Sequence, residues 1–196
     1  MCRREGVSLC GKEKCALKRR PTPPGVHGQT SQRARLSTYG KQLREKQKAK
    51  RLYLIMERQF RKYFEHATKM KGDTGMLLTR LLEERLDNVV YRLGMAKTRR
   101  QARQMVGHGF IEVNGKKVDI PSYQVHVGDT VAIRSAKRGK GLVTLGMTDG
   151  MQKQQPPAWL TIDAAALSGK VTGAPEGEDL KSVFDPKLIV EFYSRT

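Results

Sequence analysis

Acidic side chains are scarce at one end of this sequence. Lys and Arg total 38 against 19 Asp and Glu, a formal net charge of +19, and from Met1 to Lys71 only 5 acidic residues accompany 20 basic ones. Hydrophobic residues make up 38% of the 196 positions, so core material is lean and part of the chain is expected to need a partner for order. A run of 18 or more apolar residues is absent, and Met1-Cys2-Arg3-Arg4-Glu5-Gly6 lacks the apolar stretch of a secretory signal. An intracellular protein with no membrane partner is therefore expected. There are only three cysteines, which cannot all pair with one another, so a disulfide framework is not expected.

Catalytic patterns are missing as well. The sequence has no Gly-rich phosphate loop with its Lys-Ser/Thr and no nucleophile elbow, and Asp87 and Asp119 have no carboxylate or His partner by spacing. His66 reads as a helix-surface residue, His108 as a helix cap or a contact for a partner rather than a base, and His126 as facing a strand partner. Neither catalysis nor a small-molecule substrate is expected.

What remains is charge with a direction. The net is +15 over Met1–Lys71, +6 over Gly72–Gly141 and −2 over Leu142–Thr196. So basic an end suits an arm or face for phosphates, and the near-neutral end suits scaffold or a protein contact. Nucleic acid is the leading partner.

Three stretches differ in composition. Residues 1–36 mix three cysteines, three prolines and Lys18-Arg19-Arg20, and predict an irregular basic arm, because proline removes backbone donors and restricts its predecessor. Residues 37–84 predict a small helical domain, completed by 173–196. Ser37 is a candidate N-cap, Tyr39, Leu43 and Leu54 are sparse apolar anchors, and Phe60, Tyr63, Phe64 and Ala67 form one helix face. Residues 85–172 predict a mixed domain of helices and strands with its core motif at 85–134, which the family resemblance carried by that motif implies to be an RNA-binding domain. Leu86, Val89, Val90 and Leu93 mark a short helix, and Thr98 with Gln101 forms a capping box for the next.

That second helix carries Arg99, Arg100, Gln101, Arg103 and Gln104 outward. They are read as solvent-facing, so reversing Arg99, Arg100 and Arg103 is expected to leave melting near wild type. Asn114-Gly115 predicts a tight hairpin, with Lys116 and Lys117 on the same surface as the helix arginines. Val125, Val127, Val131 and Ile133 predict a further strand pair around Gly128-Asp129. Leu188, Val190 and Phe192 alternate with Ile189, Glu191 and Tyr193, which predicts a strand or docking segment. The expected class is α+β: a helical domain plus an inserted domain of two short helices on an antiparallel sheet.

The run from Arg85 to Gly94, with Thr98-Arg99-Arg100-Gln101-Ala102-Arg103-Gln104 and Val113-Asn114-Gly115-Lys116, closely resembles the RNA-binding motif named for small-subunit ribosomal protein four. Pro23-Pro24-Gly25-Val26-His27-Gly28, Leu43-Arg44-Glu45-Lys46-Gln47-Lys48, Glu57-Arg58-Gln59-Phe60-Arg61, Trp159-Leu160 and Leu188–Arg195 are similar to the bacterial family of that protein. The resemblance implies a primary binder of small-subunit ribosomal RNA that nucleates assembly, with Arg19, Arg20, Arg44 and Lys48 added to the motif's cations and Asn114. It implies a place at the entrance of the mRNA channel, matched by Arg33 and Arg35. It also implies contact with ribosomal protein five affecting accuracy and, in some bacteria, repression of its own message. Enzymes and stress proteins that carry the same RNA motif would need a separate catalytic domain or would lack the Pro23–Gly28 arm and the Phe192–Arg195 ending.

The cysteines match the family's metal pattern incompletely. Cys10 and Cys15 keep the spacing of its final pair, and Cys2 matches the second cysteine of its opening pair, whose first has no counterpart. Tetrahedral zinc wants four ligands. A residue upstream of Met1, His27 or water would complete the shell, an iron–sulfur cluster is a lesser option, or the thiols bind no metal and pack in an arm shaped by RNA.

Overall fold

The structure, a computed structural model, describes residues 1–12, 14–31, 36–138, 150–151 and 155–195. In chain order the elements are α1 (Cys2–Glu5), α2 (Ala16–Arg19), α3 (Gly28–Ser31), α4 (Thr38–Tyr53), α5 (Glu57–Lys69), α6 (Thr74–Glu83), α7 (Leu86–Arg92) and α8 (Arg99–Gly107). Then follow β1 (Ile111–Val113), β2 (Lys116–Lys117), β3 (Thr130–Ile133), α9 (Ser135–Arg138), β4 (Leu160–Asp163), β5 (Ser168–Val171) and α10 (Pro186–Ser194). The chain is α+β and divides into two compact units, Met1–Thr79 with Ser182–Thr196, and Arg80–Lys181.

In the first unit α4 starts where the Ser37 hydroxyl accepts the Gly40 N–H at 3.1 Å and ends at Leu54, whose φ of 57° closes it. Its buried stripe is Gln42, Lys46, Ala49 and Tyr53, spaced four, three and four. This corrects the anchors expected from hydropathy: Tyr39 is 55% exposed and Leu43 and Leu54 are half-buried. Polar residues take the inner face because α10 supplies partners for them. Gln42 Nε2 donates to Glu191 Oε2 at 2.7 Å, and the Lys46 ammonium lies 4.2 Å from the centre of the Phe192 ring. The aromatic face of α5 is core, with Phe60 and Ala67 buried and Phe64 stacked on Tyr193 at 4.6 Å.

The closing segment is a helix, not the expected strand. Asp185 caps it by accepting the Lys187 N–H at 2.9 Å, and Pro186 occupies its first turn with a pre-set φ. Ile189 and Phe192, three apart, are its buried residues. A short apolar run satisfies both periods, and the Asp-Pro start decides between them.

In the second unit α7 and α8 share one core with a five-stranded antiparallel sheet of order β2-β1-β3-β5-β4. Leu86, Val89 and Val90 from α7, Leu93 at its C-cap, and Ala102 and Val106 from α8 meet Ile111, Val131, Ile133, Trp159 and Val171. The β1–β2 hairpin turns through Asn114 (φ 51°) and Gly115 (φ 76°), the positive pair a type I′ turn demands. The strand pair expected around Gly128-Asp129 is corrected to one strand, β3, which pairs with β1 and β5. Val127 is 61% exposed, and His126 is an exposed turn residue rather than a strand partner, because Asp129 closes the turn by accepting the His126 N–H at 2.9 Å.

Candidate nucleic-acid interface

The most developed polar site is where α7 meets α8. The Gln101 N–H donates to the Thr98 hydroxyl at 3.2 Å, which caps α8, and Gln101 Oε1 takes the Lys97 N–H at 3.0 Å, one residue earlier than a standard capping box. Arg100, Gln101 and Gln104 are exposed.

Arg99 and Arg103 are tied to the fold instead. Arg99 Nε donates to Asn88 Oδ1 at 2.9 Å, with its guanidinium 4.5 Å from the centre of the Tyr91 ring, and Arg103 Nη1 donates to Asp87 Oδ2 at 3.3 Å. Asp87 meets arginines, not a carboxylate or His. The expectation that reversing the helix arginines leaves melting near wild type is corrected here: reversing Arg99 would leave buried Asn88 Oδ1 without its donor, and reversing Arg103 would set a second carboxylate against Asp87, so those two are not neutral surface positions. Spacing missed them because the partners come from α7.

Below them lies a buried charge network. Arg85, fully buried, grips Asp87 with two bonds, Nε to Oδ1 at 3.0 Å and Nη2 to Oδ2 at 2.7 Å. Glu83 receives Arg92 at 2.9 Å through each of two nitrogens and Asn88 Nδ2 at 2.7 Å. Arg92, which the sequence alone did not single out, therefore joins the cations at this edge. Its signal was Glu83 beside the apolar Leu81-Leu82, since an acid drawn into a lean core demands a cation.

Lys116 and Lys117 are exposed on β2. The Lys117 stem passes Gly109, where an added Cβ would come 2.7 Å from Cε, and its ammonium pairs with Asp119 at 2.9 Å. Gly109 lies just past the end of α8, whose last residue, Gly107, is about 12 Å along the helix from Arg99. The hairpin lysines and the helix arginines thus span α8 rather than cluster at its start. Asn114 faces Asp129 and Thr130, bonded to them at 2.7 and 2.9 Å, so its side chain is committed to the turn.

In the first unit Arg19 and Arg20 are exposed at the end of α2. Arg44 donates to the Arg4 carbonyl at 2.9 Å and Lys48 pairs with Glu45 at 2.5 Å. Both line a cleft of about 310 Å³ with Arg3, Arg4, Pro21 and Pro23. Arg3 and Arg4 were missed because nothing in the local sequence brings them to α4. Arg33 and Arg35 lie outside the described residues.

Cys2, Cys10 and Cys15 come together, with their Sγ atoms all within 4.8 Å of one another. His27 is not in this group among the described residues. One tetrahedral zinc with Zn–S near 2.3 Å needs sulfurs about 3.8 Å apart, so the donor set fits with a small inward movement. The Leu9 N–H donates to Cys2 Sγ at 3.3 Å. Hydrogen bonds from Ser8 and from the Leu17 backbone bring the Cys15 thiol down to about 7, while burial pushes Cys2 up. No helix among the described residues is long and apolar enough to cross a membrane.

Comparison with known families finds two matching domains. Residues 1–83 match the ribosomal protein S4/S9 N-terminal domain and residues 84–131 match the S4 domain. The chain is 52% identical to the small ribosomal subunit protein uS4 of Thermodesulfovibrio yellowstonii, covering 100% of this chain and 95% of that one. It is 50% identical to uS4 of Thermus thermophilus over the same shares, and 51% identical to uS4 of Chloroflexus aurantiacus over 98% and 94%. With matched domains across most of its length and relatives at half identity end to end, the chain belongs to the ribosomal protein S4 family.

Proposed function

We propose that this chain is a structural constituent of the small ribosomal subunit, ribosome-bound in the cytoplasm, that binds small-subunit ribosomal RNA directly and early enough to nucleate assembly. The observation that carries the reading is α8, capped by Thr98 inside a matched S4 domain, with Arg99, Arg100, Gln101, Arg103 and Gln104 on its outer turns. Lys116 and Lys117 extend that surface, with Asn114 shaping the turn that presents them, and Arg19, Arg20, Arg44 and Lys48 form a second basic region in the other unit. A-form RNA offers shape, phosphates and 2′-hydroxyls rather than a readable major groove, which suits dense Arg, Lys and Gln. The +19 charge gives every such contact long-range attraction.

The same reading extends to mRNA at the channel entrance through Arg33 and Arg35, to contact with ribosomal protein five, to translational accuracy and to repression of its own message. These rest on family resemblance. Because Ile189 and Phe192 are spent on the interior of the first unit, a contact with protein five would use the outer face of α10. Cys2, Cys10 and Cys15 would hold a zinc ion as three thiolates, with a fourth donor from outside the cluster, and the ion would tie α1 and α2 together.

Sedimentation of a lysate tests the function. The chain should co-migrate with small subunits in a one-to-one ratio at moderate salt. A pool found mostly free of subunits would reject the reading.

A further inference from the structure

We propose that Glu83, Asp87 and Asn88 are positioning residues that hold Arg92, Arg99 and Arg103 as a preformed guanidinium cluster for RNA phosphates. The inference rests on the RNA reading above and says how that surface is built.

The three acceptors are nearly inaccessible, with Glu83 2%, Asp87 5% and Asn88 2% exposed. The cations they hold reach outward, since the Arg92 and Arg103 side chains are 29% and 38% exposed. Burying a carboxylate costs free energy unless it is paired, and the two-bond grip of Arg85 already balances Asp87. Even so, Asp87 Oδ2 also receives Arg103. Asn88 is a relay, because its Oδ1 accepts from Arg99 while its Nδ2 donates to Glu83, which itself holds Arg92 by two nitrogens. The acceptors come from the end of α6 and from α7, whose inner face is locked in the core, so each guanidinium is fixed to rigid backbone.

A freely moving arginine loses rotamer freedom when it meets a phosphate, whereas one already held by its own fold lost that freedom on folding. A guanidinium has five N–H donors, more than a two-bond carboxylate takes up, and its planar fork suits phosphate. RNA recognised by its backbone shape needs cations at fixed spacing, which this network provides. The arrangement also explains the contrast with Arg100, which is exposed and has no hydrogen bond or ion pair among the described residues.

The test separates position from charge. In the full-length chain, Asp87→Asn and Glu83→Gln each delete a negative charge next to a polyanion site, so electrostatics alone predicts tighter binding to a small-subunit ribosomal RNA fragment. Positioning predicts the opposite sign. Affinity should fall about tenfold, the scale of ordering one or two side chains on binding, and the salt dependence should keep its slope because no cation is lost. Tighter or unchanged binding by folded variants would overturn the proposal. Nitrogen-15 relaxation of arginine Nε groups in the free wild-type chain needs no variant to fold. Arg92, Arg99 and Arg103 should be as ordered as backbone, with Arg100 mobile. Equal mobility of all four in a chain that binds RNA would overturn the positioning alone, whereas ordered groups on a chain that binds no ribosomal RNA would overturn the RNA reading beneath it.

Discussion

The Tyr193 hydroxyl donates to Glu57 Oε1 at 2.7 Å, and Lys46 and Lys50 converge on the same carboxylate at 3.0 and 2.5 Å. One acid thereby joins α4, α5 and α10. Partial burial pushes Glu57 up, but the bonds from Lys50, Tyr193 and Lys46 outweigh it and hold the carboxyl at about 2, below its ordinary 4.5. Burial and the Glu57 carboxylate raise the Tyr193 phenol.

A depressed carboxyl contributes stability that is complete above its unfolded value and is lost as pH falls through the folded one. Glu57 should therefore stabilise the first unit fully above about pH 4.5 and lose that contribution between there and about pH 2. Glu57→Gln should melt lower than wild type at pH 7 and lose less on going to pH 3. Parallel acid limbs for the two proteins would argue against this carboxylate as the joint.

The hairpin offers a backbone test. Gly115 has φ 76° with nothing near its Cβ position, so only conformation opposes a side chain there. Gly115→Val should cost about 1–3 kcal/mol, the range for a non-glycine forced into the left-handed region. Gly115→Asn should cost less, since Asn tolerates that region. Denaturant unfolding of both variants decides the order.

How much of this was legible in the sequence depends on where each partner lies. Thr98, Gln101 and the Asn114-Gly115 turn were readable because their partners are within a few residues. The polar stripe Gln42 and Lys46 was not, because its partners, Glu191 and Phe192, are about 150 residues away. Arg92 and Arg3 likewise find their partners outside their own helices, at Glu83 and at the Thr22 and Pro23 carbonyls, while Leu188–Tyr193 fits both the strand and the helix period and only the Asp185-Pro186 cap decides for α10. The cysteine cluster was visible in spacing, though spacing also allowed His27.

Packing in the second unit makes another prediction. A Cβ at Gly169 on β5 would run into both methyls of Leu93 and meet Thr161 O at 3.0 Å. Gly169→Ala should destabilise by about 1–3 kcal/mol through overpacking. Combining it with Leu93→Ala should cost less than the sum of the two, because the second change opens the space that the first needs. Strict additivity in thermal melts would contradict this contact.

The thiol cluster predicts a metal count. Chain purified without chelator should hold about one zinc per molecule, and Cys15→Ser should lose it, because two thiolates bind zinc far less well than three. Elemental analysis of both proteins checks the ratio. Equal zinc in the variant, or none in wild type, would remove the ion from the account.

The most direct measurement is RNA affinity and melting on the same preparations of wild type and an Arg100→Glu, Lys116→Glu double variant. These two cations are exposed, and neither holds a buried acceptor among the described residues. Their reversal should shift stability by less than about 0.5 kcal/mol. Wild-type binding to a small-subunit ribosomal RNA fragment should weaken by roughly three to five decades between about 50 and 200 mM salt if six to ten phosphates are engaged, on the duplex DNA scale. The double variant should melt like wild type and lose most of that affinity, with a shallower salt slope. A variant that binds the fragment as tightly as wild type would contradict the claim that α8 and the β1–β2 hairpin form the RNA surface.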